Sequence, residues 1–411
     1  MMKGRYKHMV LLLNLLNGLI RLAFWLFFCP VTVFASVIMV DRGYSTTMIG
    51  FIIASASIFA IFVQSVLANY ADKHQNVTTM KLCVYTLLAS LPLYTALLFL
   101  LRVSLLQTII FIIVISFGNA LHPFVNNFTF KLAETGYKIY FEASLFVGAI
   151  GFSLVSSLAG FVNNAYGTNA TIILMICGLL IFVVTLLIGD RVIKKYAKAP
   201  AEHEEKKEEE QVSYAQFIDH NKLFVIAAIG LAFAGWFDNF FYAFTIQVVR
   251  NVGGNSADVG NIMSFASLCQ LPAYFYIPFL KRKFKYSHLI LLAASMFVVK
   301  GFIIYFSATL TGIYLSGLTR MLNYSLMSAT IVPFVNSIMP RNEANRGQTL
   351  YTIMGLLSNV IATSLGGAMI DGLGIKSAMV VVLIVSVAGL CLAMPTMLMV
   401  SKKYETEKIS G

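Results

Sequence analysis

Twelve apolar runs follow one another along this chain, each long enough to cross ~30 Å of hydrocarbon as a helix and each nearly free of charge. They lie at 9–39, 46–70, 80–101, 104–130, 139–163, 169–189, 222–249, 257–280, 286–307, 309–337, 347–370 and 376–400. A water-soluble protein of 411 residues could bury one or two cores, but it would have no use for so many long apolar stretches. A membrane barrel is the wrong alternative, because barrel strands are short and alternate in polarity, whereas these runs are continuous. The predicted fold class is an all-α membrane protein of twelve transmembrane helices, and a mean hydropathy of +0.80 agrees with it.

An even number of spans places both termini on one side, and the Lys/Arg distribution predicts which. With the N-terminus inside, 23 of the 30 Lys and Arg fall in internal loops or termini, four fall outside and three lie within spans. The chain is therefore expected in the cell (inner or plasma) membrane, multi-pass, with cytoplasmic N- and C-termini. This bias also accounts for the net charge of +12, so no nucleic-acid partner is implied. The first run is too long for a cleavable signal peptide. Cys29, Cys83, Cys177, Cys269 and Cys391 are scattered singly through apolar segments and read as core packing rather than disulfides. Neither a metal nor a cofactor is expected. The partners expected are a small-molecule substrate, protons as coupling ion and the bilayer, with the protein a monomer.

The one long polar stretch, rich in Glu and Lys, divides the spans six and six. Four regions are predicted: an N-terminal six-helix bundle over 1–190, a cytoplasmic linker over 191–221, a C-terminal six-helix bundle over 222–400 and a cytoplasmic tail over 401–411. An internal repeat would follow from such a division, and traces of one exist. Gly50, Ala56, Ser57 and Ile58 are echoed 210 residues later by Gly260, Ala266, Ser267 and Leu268. Gly160, Asn164 and Gly167 are echoed at an offset of 207 by Gly367, Asp371 and Gly374.

The stretch Ala68-Asn69-Tyr70-Ala71-Asp72-Lys73, together with Gly50, Gln64 and the fourth-span Asn119-Ala120, Pro123 and Val125, resembles the major facilitator superfamily, and within it the oligosaccharide/proton symporter (lactose permease-like) group. The resemblance runs over almost the whole chain. It implies two six-helix bundles rocking about a central cavity, secondary active transport by alternating access, and a cytoplasmic gate at Asp72 and Lys73, which could otherwise be an ordinary hydrophilic turn. The group's seventh-span aspartate is kept as Asp238, and its ninth-span arginine is represented by Lys300. Its fourth-span glutamate is replaced by Asn126, its fifth-span arginine falls at Ser144 or Leu145, and its eighth-span glutamate falls near Ser267. On the tenth span its histidine and glutamate become Arg320 and Asn323, and its eleventh-span lysine falls at Ser358. A galactoside site built in the group's way is therefore not expected, and with the group's usual proton-carrying carboxylate missing, proton coupling must use another group.

Three cations, Arg21, Lys300 and Arg320, lie inside spans, where charge is costly and usually functional. Helical spacing aligns Asn14, Asn17, Gly18 and Arg21 in one stripe with Trp25 beyond it, Asn119 with His122 and Asn126, and Arg320 with Asn323 and Tyr324. Such faces either line a cavity or cement helix to helix. The substrate-binding candidates are Arg21, Asn119, His122, Asn126, Asp238, Lys300, Arg320 and Asn323; the proton-coupling candidates are Asp238 and Glu142. Pairing is expected between Arg21 and Glu142, and between Asp238 and either Arg320 or Lys300, leaving one cation over. Trp236, Phe237, Phe240, Phe241 and Tyr242 could form a stacking wall beside Asp238.

No nucleophile-base pair, phosphate loop or nucleotide motif points to an enzyme or a primary pump. The function expected is a proton-coupled carrier of a sugar-like polar solute. The alternatives are an organic-anion carrier, or a drug or metabolite exporter, although Gly148-Ala149-Ile150-Gly151 lacks the glycine-proline signature common among antiporters.

Overall fold

A computed structural model describes residues 2–74, 77–196 and 213–410, apart from the side chains at 2–5, 72, 142, 214, 341, 342 and 404–410. The 197–212 stretch of the expected linker and the side chains of Asp72 and Glu142 thus lie outside the described residues. Within those residues the secondary structure is entirely helical.

The first six spans are single helices: α1 (Met2–Asp41), α2 (Thr46–Lys73), α3 (Thr79–Phe99), α4 (Leu105–Ala133), α5 (Phe141–Tyr166) and α6 (Thr168–Tyr196). Polar residues placed just ahead of apolar runs start several of them. Ser45, Thr78 and Ser104 each accept a hydrogen bond from the backbone N–H three residues on, satisfying a donor that the first turn leaves unpaired. A short helix α7 (Tyr214–His220) precedes the seventh span, which is segmented into α8 (Lys222–Ala234), α9 (Trp236–Ala243) and α10 (Thr245–Asn251). The eighth is α11 (Ser256–Cys269) and α12 (Ala273–Lys283), bent by 45° at the break ahead of Ala273. The ninth is α13 (Tyr286–Phe306). The tenth consists of α14 (Leu310–Ser316), a 3-10 turn (Gly317–Met321) and α15 (Tyr324–Ile338); the last two spans are α16 (Arg341–Leu373) and α17 (Ile375–Ser410).

Among the described residues ten helices are long and apolar enough to cross a membrane, eleven counting the bent pair. The twelfth expected span is the tenth, 309–337, which the sequence reads as one run and the structure breaks in the middle. Arg320, Asn323 and Tyr324 therefore do not lie on one continuous helix: the 3-10 turn changes the angular step, Arg320 still meets the Tyr324 ring, and Asn323 caps the helix that follows.

The chain forms two compact units, Met1–Glu204 with Gly254–Leu268, and Glu205–Gly253 with Cys269–Gly411. In the first, α1 packs on α4, α5 and α6, and α2 on α4. Close approach relies on small residues: a Cβ on Gly178 would meet the Leu26 carbonyl oxygen at 2.6 Å. Here α5 also meets α11, through Ser153 and Ser264 hydroxyls 2.7 Å apart and a Ser267 hydroxyl donating to the Ala149 carbonyl. In the second unit α8 packs on α17 over Gly230 and Gly389, where a Cβ would lie 2.7 Å from Ala393 N and 2.5 Å from Ala234 N respectively.

The repeat extends to backbone conformation. Gly167 and Gly374 have φ of +79° and +80°, and Gly43 and Gly253, 210 residues apart, have +90° and +82°. Two pairs of left-handed glycines at the spacings of the sequence echoes mean that the same turns recur in each half. Two cysteines depart from expectation: Cys177 and Cys391 are exposed rather than packed.

The break at Gly235 frees backbone groups inside the membrane, and neighbouring helices satisfy them. The Phe237 N–H donates to the Ser386 hydroxyl at 3.0 Å, and the Ser358 hydroxyl donates to the Ala232 carbonyl at 2.7 Å. Ser386→Ala should therefore leave a buried N–H unsatisfied and destabilise the second unit by ~1–3 kcal/mol. Thermal unfolding in nanodiscs checks this, with the surface change Thr185→Ala as a control near zero.

Candidate functional site

In the second unit the polar groups gather at the helix interruptions. Asp238 stands in the first turn of α9, immediately after the Gly235 break, and pairs with the Lys300 ammonium from α13. Lys300 is 4% exposed and its ammonium also lies 4.8 Å from the Phe241 ring centre. Of the two pairings open to Asp238, the one with Lys300 forms.

Arg320 sits in the 3-10 turn that interrupts the tenth span. Its Nε donates to Gln270 Oε1 at 3.2 Å and its Nη1 to Tyr242 Oη at 3.1 Å. The guanidinium carbon lies 5.0 Å from the Tyr324 ring centre and 5.5 Å from that of Tyr242. Gln270 stands in the break of the eighth span and donates in turn to the Tyr274 hydroxyl at 3.1 Å. The carbonyls opened by the 3-10 turn are used as well: Ser325 donates to the Arg320 oxygen at 3.2 Å and the Tyr276 hydroxyl to that of Met321. Asn323, 1% exposed, caps α15 by accepting from the Tyr324 N–H, and donates to Thr319 Oγ1 at 3.3 Å.

The first unit holds a separate polar face. Arg21 Nη1 donates to Asn126 Oδ1 at 2.6 Å, joining α1 to α4, and Thr129 donates to Asn17 Oδ1 at 2.8 Å one turn below. Gly148 on α5 makes room, since a Cβ there would fall 2.7 Å from Arg21 Cγ and 2.9 Å from Trp25 Nε1. The His122 ring stacks on Phe28 with centres 5.7 Å apart, and lies 5.6 Å from Phe24 and 6.0 Å from Trp25. Trp25, Phe28, Asn119, His122 and Asn126 are all partly exposed, so they present a mixed aromatic and amide surface. Asn14 stands apart from this surface and holds the link into α5, donating to the Lys138 carbonyl at 2.9 Å and accepting from the Tyr140 N–H at 2.7 Å.

The structure thus brings Asp238 to Lys300, and Arg21 to Asn126 with His122 one turn away, and it gives Asn323 to a helix cap. Glu142 falls in the first turn of α5 and Asp72 in the last turn of α2, and Lys73 ends α2 exposed. Of the five aromatics expected to wall Asp238, Trp236, Phe237, Phe240 and Phe241 are buried; Phe241 lies against the Lys300 ammonium and Tyr242 reaches Arg320. Gln270 is absent from the candidates drawn from sequence. Its signal is an amide in an apolar run two residues before Pro272, where a helix that cannot continue smoothly must satisfy its freed groups. Among the described residues no group of His, Cys, Asp and Glu could hold a metal.

Solved structures share this fold at low identity. A point mutant of the nucleoside transporter NupG superposes with a TM-score of 0.75 at 14% identity, covering 93% of this chain and 99% of that one. The unmutated NupG structure gives 0.69 at 17% identity, covering 94% and 98%. A bacterial homologue of the human lysosomal transporter Spinster, inward-facing and unoccupied, gives 0.65 at 12% identity, covering 96% and 98%. No curated protein matches the sequence significantly. At these identities the likeness carries the fold alone. The family description that matches the sequence, MFS_1 like, extends over residues 19–405, nearly the whole chain, and this protein belongs to that family within the major facilitator superfamily.

Proposed function

We propose that this chain is a secondary carrier that moves a small polar solute across the membrane by alternating access, coupled to protons through the Asp238–Lys300 pair. The observation that carries the reading is the pairing of a buried Lys300 with a largely covered Asp238, its side chain 16% exposed, beside a helix break. Ions taken out of water are tolerable only while paired, and removing one partner's charge leaves the other exposed to a poor dielectric. Protonation of Asp238 would cancel its attraction for Lys300 and so favour another arrangement of α9 against α13. A proton and a conformational equilibrium are linked in this way whenever two access states hold the pair differently. The solute is expected at polar groups that face away from lipid. Partly exposed Asn119, His122 and Asn126, beside Trp25 and Phe28, offer amide hydrogen bonds and ring faces to a hydroxylated or planar molecule. Support for a ring-bearing solute comes also from the fold shared with a nucleoside transporter, alongside the sugar-like solute that the lactose permease-like motifs suggest.

The reading is tested in proteoliposomes carrying a pH gradient, with sugars and nucleosides screened first by thermal shift, since a ligand of the folded state raises the melting temperature. Asp238→Asn should abolish uphill accumulation of a solute that binds while leaving downhill exchange. Accumulation equal to wild type would remove Asp238 from the coupling. The pair itself makes a further prediction. Lys300→Met alone should destabilise by ~3–5 kcal/mol because Asp238 is left largely covered without its cation, and Asp238→Asn with Lys300→Met should recover most of that loss. Denaturation of the single and double variants in detergent, read as a double-mutant cycle, decides it.

A further inference from the structure

Arg320 is the cation left over after pairing. Among the described residues no carboxylate lies within ion-pair distance of it, and its side-chain partners are the neutral oxygens of Gln270 and Tyr242. Asp238 acts on Arg320 through space, but that carboxylate is already bonded to Lys300. A full charge in a membrane-spanning segment whose hydrogen-bond partners are all neutral is an expensive arrangement that an anion of its own would relieve.

The geometry of the clamp shows where that would be. A guanidinium carries five N–H donors, one on Nε and two on each Nη. Gln270 takes the Nε donor and Tyr242 takes one on Nη1, so three N–H donors remain, one on Nη1 and two on Nη2, enough for the end edge to offer one N–H from each Nη in the fork that matches a two-oxygen anion. Tyr242 and Tyr324 lie against the guanidinium and hold its plane, and Gln270 is itself held by Tyr274. Arg320 is partly exposed, and its Nη2, which has no hydrogen-bond partner among the described residues, is not among the fully buried side-chain atoms. Three segment interruptions supply the parts: the 3-10 turn carries Arg320, the eighth-span break carries Gln270, and Tyr242 stands at the end of α9. The device is built as a fixed fork, which a structural arginine paired with an aspartate would not need.

We infer that Arg320 binds an oxyanion of the transported solute, a carboxylate or phosphate on a small polar body, through the end edge of its guanidinium. The inference rests on the carrier reading above and narrows its substrate class from neutral to acidic polar solutes.

The test uses the full chain in nanodiscs and compares three forms of one scaffold, twice: glycerol, glycerate and glycerol phosphate; glucose, glucuronate and glucose phosphate. In wild type at least one acidic form should raise the melting temperature while its neutral parent does not. Arg320→Gln should raise the half-saturating concentration of that acid roughly ten- to a hundredfold, the loss expected for a charge-assisted hydrogen-bonded contact. Arg320→Lys should recover little, because an ammonium cannot present a planar fork. Gln270→Ala, which keeps the charge but frees the fork, should weaken the acid several-fold and guards against a folding defect in the arginine variants. A shift from the carboxylate form alone or the phosphate form alone assigns the source of the oxyanion. Equal shifts from neutral and acidic forms, no shift from any acid, or an acid shift that survives Arg320→Gln would each overturn the inference. The carrier reading fails separately, if a solute that binds is not moved into proteoliposomes.

Discussion

Inside hydrocarbon, each backbone group released from a helix and each charge taken out of water must find its partner within the protein. The second unit departs repeatedly from continuous helix, and two of the departures are closed by side chains. Ser386 and Ser358 serve the break at Gly235, and Ser325 and Tyr276 serve the carbonyls of the 3-10 turn. The interruptions are also where Asp238, Gln270 and Arg320 stand. A straight helix would turn such side chains at fixed angular steps toward one neighbour, whereas a broken one can present them from its ends. The polar chemistry of this unit thus depends on the same devices that make the breaks tolerable.

The first unit solves its polar problem differently. Its first six spans are single helices, and polar side chains pair across them, Arg21 to Asn126 and Asn17 to Thr129. Glycines let those helices approach: Gly148 leaves the volume that Arg21 and Trp25 fill. The aromatic and amide surface beside it is a by-product of the same packing, since Phe24 and Phe28 bring their rings against His122 only because α1 and α4 lie close. One half therefore offers ring faces and amides and the other a charge pair and a guanidinium. The two halves began from a common pattern, as the matched left-handed glycines indicate.

Much of this is legible in the residues alone. Span length and continuity identify a helical membrane protein, because the thickness of the hydrocarbon sets the length of every element that crosses it. Intramembrane charges mark Asp238, Lys300 and Arg320, because charge is rare in that environment. The echo of Gly50 in Gly260 and of Gly167 in Gly374 points to duplication, and the shared turn conformation of Gly167 and Gly374 bears it out. The pairings stay open at that level, since Asp238 could have met either Lys300 or Arg320.

What the sequence determined by itself was the class of environment each residue occupies, since hydropathy is a property of the residue and its near neighbours. What the tertiary structure alone decided was direction: that the tenth span breaks at 317–321, that Lys300 rather than Arg320 takes Asp238, that Asn323 turns back to cap α15, and that Gln270 holds a guanidinium. Those outcomes depend on the course and rotation of each helix, and the Lys300 and Gln270 contacts on partners 50 or more residues away in sequence. Local pattern carries no record of either, because the same periodicity is satisfied whichever neighbour a polar face is turned toward.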